Sequence, residues 1–96
     1  MRRQKRYVAI KRWGNHRAFM VLNGTQIIVN SSFYTSDNKF CHGPSVEIGE
    51  LTDQKIFDEI HQRECMGDKT SSELDAYIKS VWEKAKELNS WFNYTE

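Results

Sequence analysis

Residues 6–30 read RYVAIKRWGNHRAFMVLNGTQIIVN and contain three apolar segments separated by two turn signals. Asn23-Gly24 is the strongest short signal for a hairpin, because both central residues of a type I′ turn adopt positive φ. This turn is expected to place Met20 opposite Ile27. The pattern predicts an antiparallel meander with strands at Arg6–Trp13, Arg17–Leu22, Thr25 to about Tyr34, and a short fourth strand at Ser45–Ile48.

The hydrophobic period changes near Gly49, from alternation to a repeat of about 3.6 residues that is typical of helices. A first helix is predicted to begin after an N-cap at Thr52 or Asp53, since both side chains accept hydrogen bonds from free helix amides. It is expected to end just before Gly67, because glycine readily adopts the left-handed conformation that ends many helices. Cys65 would then be its last core contact.

A second helix is predicted to begin with a capping box at residues 70–73, in which Thr70 and Glu73 satisfy each other's amide donors. Apolar residues then recur at steps of four and three, which predicts a long helix lying across the sheet. This stripe consists of Leu74, Ile78, Val81, Ala85, Leu88 and Phe92.

These elements predict an α+β fold, in which an N-terminal antiparallel sheet of three to four strands is packed on one face by two C-terminal helices. The 96 residues are expected to form a single domain, with a flexible basic tail at 1–6, a sheet half at 7–48 and a helical half at 52–93. No segment has the apolar length of a signal peptide or of a membrane span. A soluble, cytoplasmic protein with reduced cysteines and no membrane contact is therefore predicted.

The first turn allows two registers. A two-residue loop at Gly14-Asn15 places Val8 and Ile10 on the same face as Phe19, which leaves both faces mixed. A three-residue loop ending at His16 separates apolar from polar side chains and is preferred, because a slip of one residue exchanges the faces of a strand. In this register the helices are expected to cover Val8, Ile10, Ala18, Met20, Leu22, Ile27 and Val29. The open face would carry Tyr7, Lys11, Trp13, Arg17, Phe19, Gln26 and Asn30.

Charge is divided lengthwise along the chain. Residues 1–48 hold eight Lys/Arg and two Asp/Glu, whereas residues 49–96 hold six Lys/Arg and eleven Asp/Glu, so halves of +6 and −5 give the net charge of +1. A basic segment attracts polyanions or acidic surfaces through its local field. The acid-rich helical half is interpreted as a solvated surface.

An open face that interleaves aromatic rings with cations suits nucleic acid, because rings stack on bases and cations neutralise phosphates. The function predicted first is therefore a small non-enzymatic nucleic-acid-binding domain, for DNA or RNA. The predicted binding residues are Arg2, Arg3, Lys5, Arg6, Tyr7, Lys11, Arg12, Trp13, Arg17 and Phe19. Trp13 is expected at the rim of this face, outside the core.

Two other interpretations of the same face remain open. Aromatic residues and arginine are also enriched where proteins meet, so the chain could be a protein-binding adaptor or inhibitor of the kind found among phage and mobile-element accessory proteins. The tail or the loop at residues 36–44 could instead simply cover the rings. A monomer or a homodimer is compatible with either interpretation.

Catalytic and metal-binding signatures are weak in this sequence. Cys41-His42 and the i,i+4 pair His61 and Cys65 are the candidate zinc ligands, but their spacing matches no common zinc class. A Cys–His nucleophile would need an orienting carboxylate, which Asp58 or Glu59 could supply, but nothing in the sequence brings these groups together. No phosphate-binding glycine loop or helical H-E-x-x-H motif occurs. The sequence therefore predicts no enzyme, no metal and no cofactor.

Overall fold

The computed structural model describes residues 5–93, in which the strands come first and the helices follow. The elements are β1 Lys5–Trp13, β2 His16–Asn23, β3 Gln26–Tyr34, β4 Phe40–His42, β5 Val46–Glu50, α1 Gln54–Gln62 and α2 Ser72–Leu88, with a short 3₁₀ turn at Ser90–Phe92. This order confirms the predicted α+β class. None of the helices within residues 5–93 is long and apolar enough to cross a membrane.

The sheet is an antiparallel meander in the order β1-β2-β3-β4, and β5 returns to pair with β3. β5 occupies the first half of that edge of β3, and β4 occupies the second half. Residues 40–42 were expected in a loop, so the sheet has one strand more than predicted. β1 begins at Lys5, which places Lys5 and Arg6 in the sheet rather than in a mobile tail; residues 1–4 of that predicted tail lie outside the described residues.

Glycine is the first central residue of both tight turns. Asn23 pairs with Gln26 across a Gly24-Thr25 loop, and Gly24 has a φ of 67°. A single positive φ at the first central position is typical of a type II′ turn rather than the predicted type I′. Met20 therefore lies opposite Val29 instead of Ile27. This slip of two residues leaves the predicted faces of β2 and β3 intact.

The preferred register of the first hairpin is wrong. Its loop is the two-residue Gly14-Asn15, with Gly14 at a φ of 50°, and Trp13 pairs with His16. Glycine again supplies the positive φ at the first central position. A three-residue loop ending at His16 would not place Gly14 where a positive φ is required. Ile10 consequently lies opposite Phe19, on the face that the helices do not cover.

A β-bulge at Val8 reverses this exchange of faces for the residues at the start of β1. Tyr7 pairs with Val21 and Ala9 with Met20, so Val8 is the extra residue and its side chain is fully buried. A bulge leaves the ladder locally unpaired, and here the guanidinium of Arg63 donates a hydrogen bond to the carbonyl oxygen of Val8. Val8 therefore lies in the core and Tyr7 faces outward, as predicted.

Arg63 also determines where α1 ends. Its backbone is extended (φ −78°, ψ 143°), so the helix closes at Gln62 rather than just before Gly67. Its carbonyl oxygen accepts a hydrogen bond of 2.9 Å from the guanidinium of Arg6. Cys65 lies beyond the helix and is exposed, which corrects its expected place in the core.

The N-terminus of α2 is capped by residues from two helices. Ser71, not Thr70, is the N-cap, and its Oγ accepts from the amide of Leu74 at 3.1 Å. The carboxylate of Glu59 on α1 accepts from the amide of Ser71 at 2.9 Å and from its hydroxyl at 2.7 Å. Glu73, expected to close the capping box, instead forms an exposed ion pair with Lys55 at 2.7 Å.

The core lies between one face of the sheet and the two helices. Predicted members Val8, Ala18, Met20, Leu22, Ile27, Val29, Leu74, Val81, Ala85 and Phe92 are all buried in it. Ile10 is only half-buried, on the opposite face, and Leu88 is 48% exposed because α2 ends at that residue. Ile56 and Ile60 supply the contribution of α1.

Candidate functional site

The exposed aromatic side chains of residues 5–93 share one surface. Tyr7 (52% exposed), Tyr34 (37%) and Phe40 (53%) all lie on the sheet face opposite the helices, which we call the outer face. An exposed ring forgoes the stabilisation of burial, so several rings on one surface indicate an interaction site. The placement follows from the pairing, since residues opposite each other on neighbouring strands point to the same side.

A groove of about 550 Å³ lies on this face between Tyr7 and Phe40. It is lined by Lys5, Tyr7, Arg17, Phe19, Asn30, Ser31, Ser32, Phe40, His42, Gly43 and Ser45. Each end carries a cation and an aromatic ring, Lys5 with Tyr7 and Arg17 with Phe40, and the middle is polar. At the middle, Ser45 donates a hydrogen bond of 2.8 Å to the side-chain oxygen of Asn30.

The rings of the outer face form two edge-to-face groups. Tyr7 and Phe19 have centroids 5.9 Å apart on the β1–β2 side. Phe40 contacts Tyr34 at 5.6 Å and His42 at 5.1 Å on the β3–β4 side. Edge-to-face packing fixes the orientation of each ring and leaves part of its π-face free for a further partner.

Arg17 lies between the two aromatic groups. Its guanidinium carbon is 5.7 Å from the centroid of the Tyr34 ring, a cation–π contact that fixes the arginine in place. Directly opposite on β1 is Arg12, which is exposed. Like charges opposite each other destabilise a sheet, and neither arginine forms a salt bridge within residues 5–93. An anion on this face would relieve that repulsion.

Acidic residues occupy the other end of the outer face. Glu47 pairs with Ile28 and Glu50 pairs with Gln26, both on β5. The cross-strand row of Arg12 and Arg17 lies at the opposite end, where β3 meets β4. Lys5 and Tyr7 share cross-strand rows with Glu50 and Glu47, so the acidic end of the outer face also holds one cation and one ring of the groove.

The structure brings together only part of the predicted binding set. Lys5, Tyr7, Arg17 and Phe19 line the groove, and Arg12 lies next to it on the same face. Arg2 and Arg3 lie outside the described residues.

Three predicted binding residues lie elsewhere. Trp13 is 5% exposed and packs edge-to-face on Trp91 with ring centroids 5.9 Å apart, so it belongs to the core. Lys11 pairs with Ala18, on the helix-covered face. Arg6 also faces that side, where it binds the carbonyl of Arg63. The shorter first turn is the cause for Lys11 and Trp13, because it exchanges the faces of the second half of β1.

Sequence reasoning missed Phe40 and His42 because residues 36–44 were treated as a loop. Residues 36–38 are a turn signal with aromatic residues on both sides, and Asn38 has a φ of 63°. A turn signal between two short segments rich in aromatic residues is typical of a hairpin, so this signal could have predicted β4.

The candidate metal ligands do not converge. Within residues 5–93, no group of three or more His, Cys, Asp or Glu is placed to hold a metal ion. Cys41 and His42 are consecutive in β4, so their side chains point to opposite faces of the sheet. His61 is in α1, whereas Cys65 follows its end.

Comparison of this chain with protein-family models, with curated proteins and with solved structures gives no match.

Proposed function

We propose that this chain is a non-enzymatic nucleic-acid-binding protein that holds unpaired bases in the groove of its outer face. The observation that carries the proposal is the position of Tyr7, Tyr34 and Phe40, the exposed aromatic residues of the described chain, on the outer face, where Arg17 contacts the ring of Tyr34. Ring faces stack on bases of any sequence, and cations between them neutralise the phosphates.

The charge pattern supports an anionic ligand over an apolar one. Arg12 and Arg17 face each other on neighbouring strands without a salt bridge in residues 5–93. Lys5 extends the positive charge to the far side of the groove. Phosphates spaced along a strand satisfy several such cations at once and release their own counterions on binding.

The decisive experiment replaces one exposed ring. Phe40→Ala is expected to weaken binding of a fluorescent single-stranded oligonucleotide by about 1–3 kcal/mol, the usual loss for a stacking ring. Its melting temperature should change little, since Phe40 is 53% exposed and leaves no cavity. Fluorescence anisotropy titrations and thermal melts of both proteins provide the measurements.

Leu88→Ala is the matched control, because Leu88 is comparably exposed (48%) but lies at the end of α2. It should bind as the parent protein does. Absence of binding at low salt, or equal losses in the two variants, would refute the proposal. A protein partner retained from lysate after nuclease treatment, together with such a failure, would favour the adaptor or inhibitor function instead.

A further inference from the structure

A second cavity, of about 320 Å³, lies where the start of β1 meets the segment after α1. Three cations line it, Lys5, Arg6 and Arg63, together with one carboxylate, Glu64. The proposed stacking of bases on the aromatic rings of the groove does not account for this concentration of positive charge.

Arg63 differs from the other two cations because it is buried, with a relative exposure of only 9%. Its guanidinium donates to the carbonyl oxygens of Val8 and Asp68, while its Nε is buried without a hydrogen-bond partner in the described chain. Carbonyl groups satisfy donors but do not neutralise a charge. A buried charge is normally paired with an opposite charge, and Arg63 forms no salt bridge within residues 5–93.

Arg6 adds a second guanidinium to the same cavity. One of its Nη atoms donates to the carbonyl oxygen of Arg63 at 2.9 Å, and no other bond of this side chain to residues 5–93 is present. Arg6 is only half-buried, so its remaining donors can meet a ligand. Glu64 is exposed and forms no ion pair with either arginine.

We propose that this cavity binds a phosphate group through Lys5, Arg6 and Arg63. A phosphate offers several strongly accepting oxygens and a charge that three cations can share, and guanidinium forks match its geometry. Lys5 and Tyr7 line both this cavity and the groove, so the two adjoin the same part of β1. The phosphate can therefore come from solution or, if the proposed nucleic-acid function holds, from the end of a strand lying in the groove.

Cys65 provides a reporter because it is exposed and lines the cavity. In a Cys41→Ser background, inorganic phosphate is expected to slow the reaction of Cys65 with a maleimide in a saturable manner, relative to chloride at equal ionic strength. Arg6→Gln should raise the half-saturating phosphate concentration about tenfold, the usual size of a lost charge-assisted hydrogen bond.

Lys84→Gln is the matched control, since it removes the same charge from an exposed position on α2, outside both the cavity and the groove. It should leave the half-saturating concentration nearly unchanged. Because Arg6 also binds the carbonyl of Arg63, Lys5→Gln tests the cavity without disturbing that bond. Protection that does not saturate, or that is equal in the parent protein and in both cavity variants, overturns the proposal.

Two oligonucleotides identify the source of the phosphate. If the phosphate belongs to a strand end, a 5′-phosphorylated oligonucleotide should protect Cys65 at lower concentration than its 5′-hydroxyl form, and Arg6→Gln should abolish the difference. Protection by inorganic phosphate alone assigns the cavity to a free phosphate. That result would support the phosphate site even if oligonucleotides fail to bind the groove, so the two proposals fail separately.

Discussion

Trp13 connects the first hairpin to the residues after α2. Its ring meets Trp91 edge-to-face, and His16, opposite Trp13 on β2, contacts the same ring at 5.4 Å. Trp91 in turn lies against Gly43: a Cβ at this glycine would be 3.2 Å from Cζ2 of Trp91 and closer still to Ser31. The 3₁₀ turn therefore covers one end of the core, and the indole of Trp13 fills that end.

Trp13→Ala is expected to lower the free energy of unfolding by about 3–5 kcal/mol, as a large-to-small change in a packed core. Urea unfolding followed by far-UV circular dichroism measures this without relying on tryptophan fluorescence. Tyr7→Ala, which truncates a ring 52% exposed on the same strand, serves as the control and should cost far less. Comparable stability of the two variants would contradict the buried position of Trp13.

At the scale of elements, the faces of β2 and β3 could be predicted, whereas those of β1 could not. Moving the second turn by two residues preserves which side chains face inward, so the apolar alternation alone sufficed. The face of β1 changes at Val8, where the bulge is held by Arg63, 55 residues further along the chain. No local pattern carries that tertiary contact. The positions of Tyr7, Arg17 and Phe19 on the outer face were thus predictable, whereas the buried position of Trp13 was not.

The cap of α2 also depends on a tertiary contact, because a residue of α1 completes it. Ser71 accepts from the amide of Leu74, and Glu59 of α1 accepts from both the amide and the hydroxyl of Ser71. The sequence contains the serine, threonine and glutamate of a local capping box. Which carboxylate caps the helix is decided by how the two helices pack.

Ser71→Ala is expected to destabilise the protein by about 0.5–2 kcal/mol, the usual cost of losing an N-cap. The loss should lie toward the upper end, because the variant also leaves one oxygen of Glu59 without its hydroxyl donor. Denaturant midpoints of the two proteins give the value. Ser72→Ala is the control, since Ser72 is exposed in the first turn and caps nothing; an equal loss there would show that Ser71 is not the cap.

Across the whole molecule, the fold separates in space only part of the charge that is split along the chain. Of the cations of the first half, Arg12 and Arg17 lie on the outer face, whereas Arg6 and Lys11 face the helices. Most acids of the second half lie on helices that cover the opposite face, where residues such as Asp58 and Glu83 are exposed. A net charge of +1 therefore includes a pair of cations on the outer face whose local field attracts anions. Affinity for a strand lying in the groove should depend on these cations rather than on the net charge.

Salt dependence tests this directly, because log K for a single strand falls with log salt by about 0.7 for each phosphate neutralised. Arg17→Gln should make that slope shallower by about 0.7–1, whereas Phe40→Ala should weaken binding at every salt concentration without changing the slope. Lys84→Gln is the matched control, as Lys84 is exposed on α2 and the same single charge is lost. If Lys84→Gln alters the slope as much as Arg17→Gln does, net charge rather than the outer face drives association. An unchanged slope in both variants would mean that the phosphates do not lie beside Arg17.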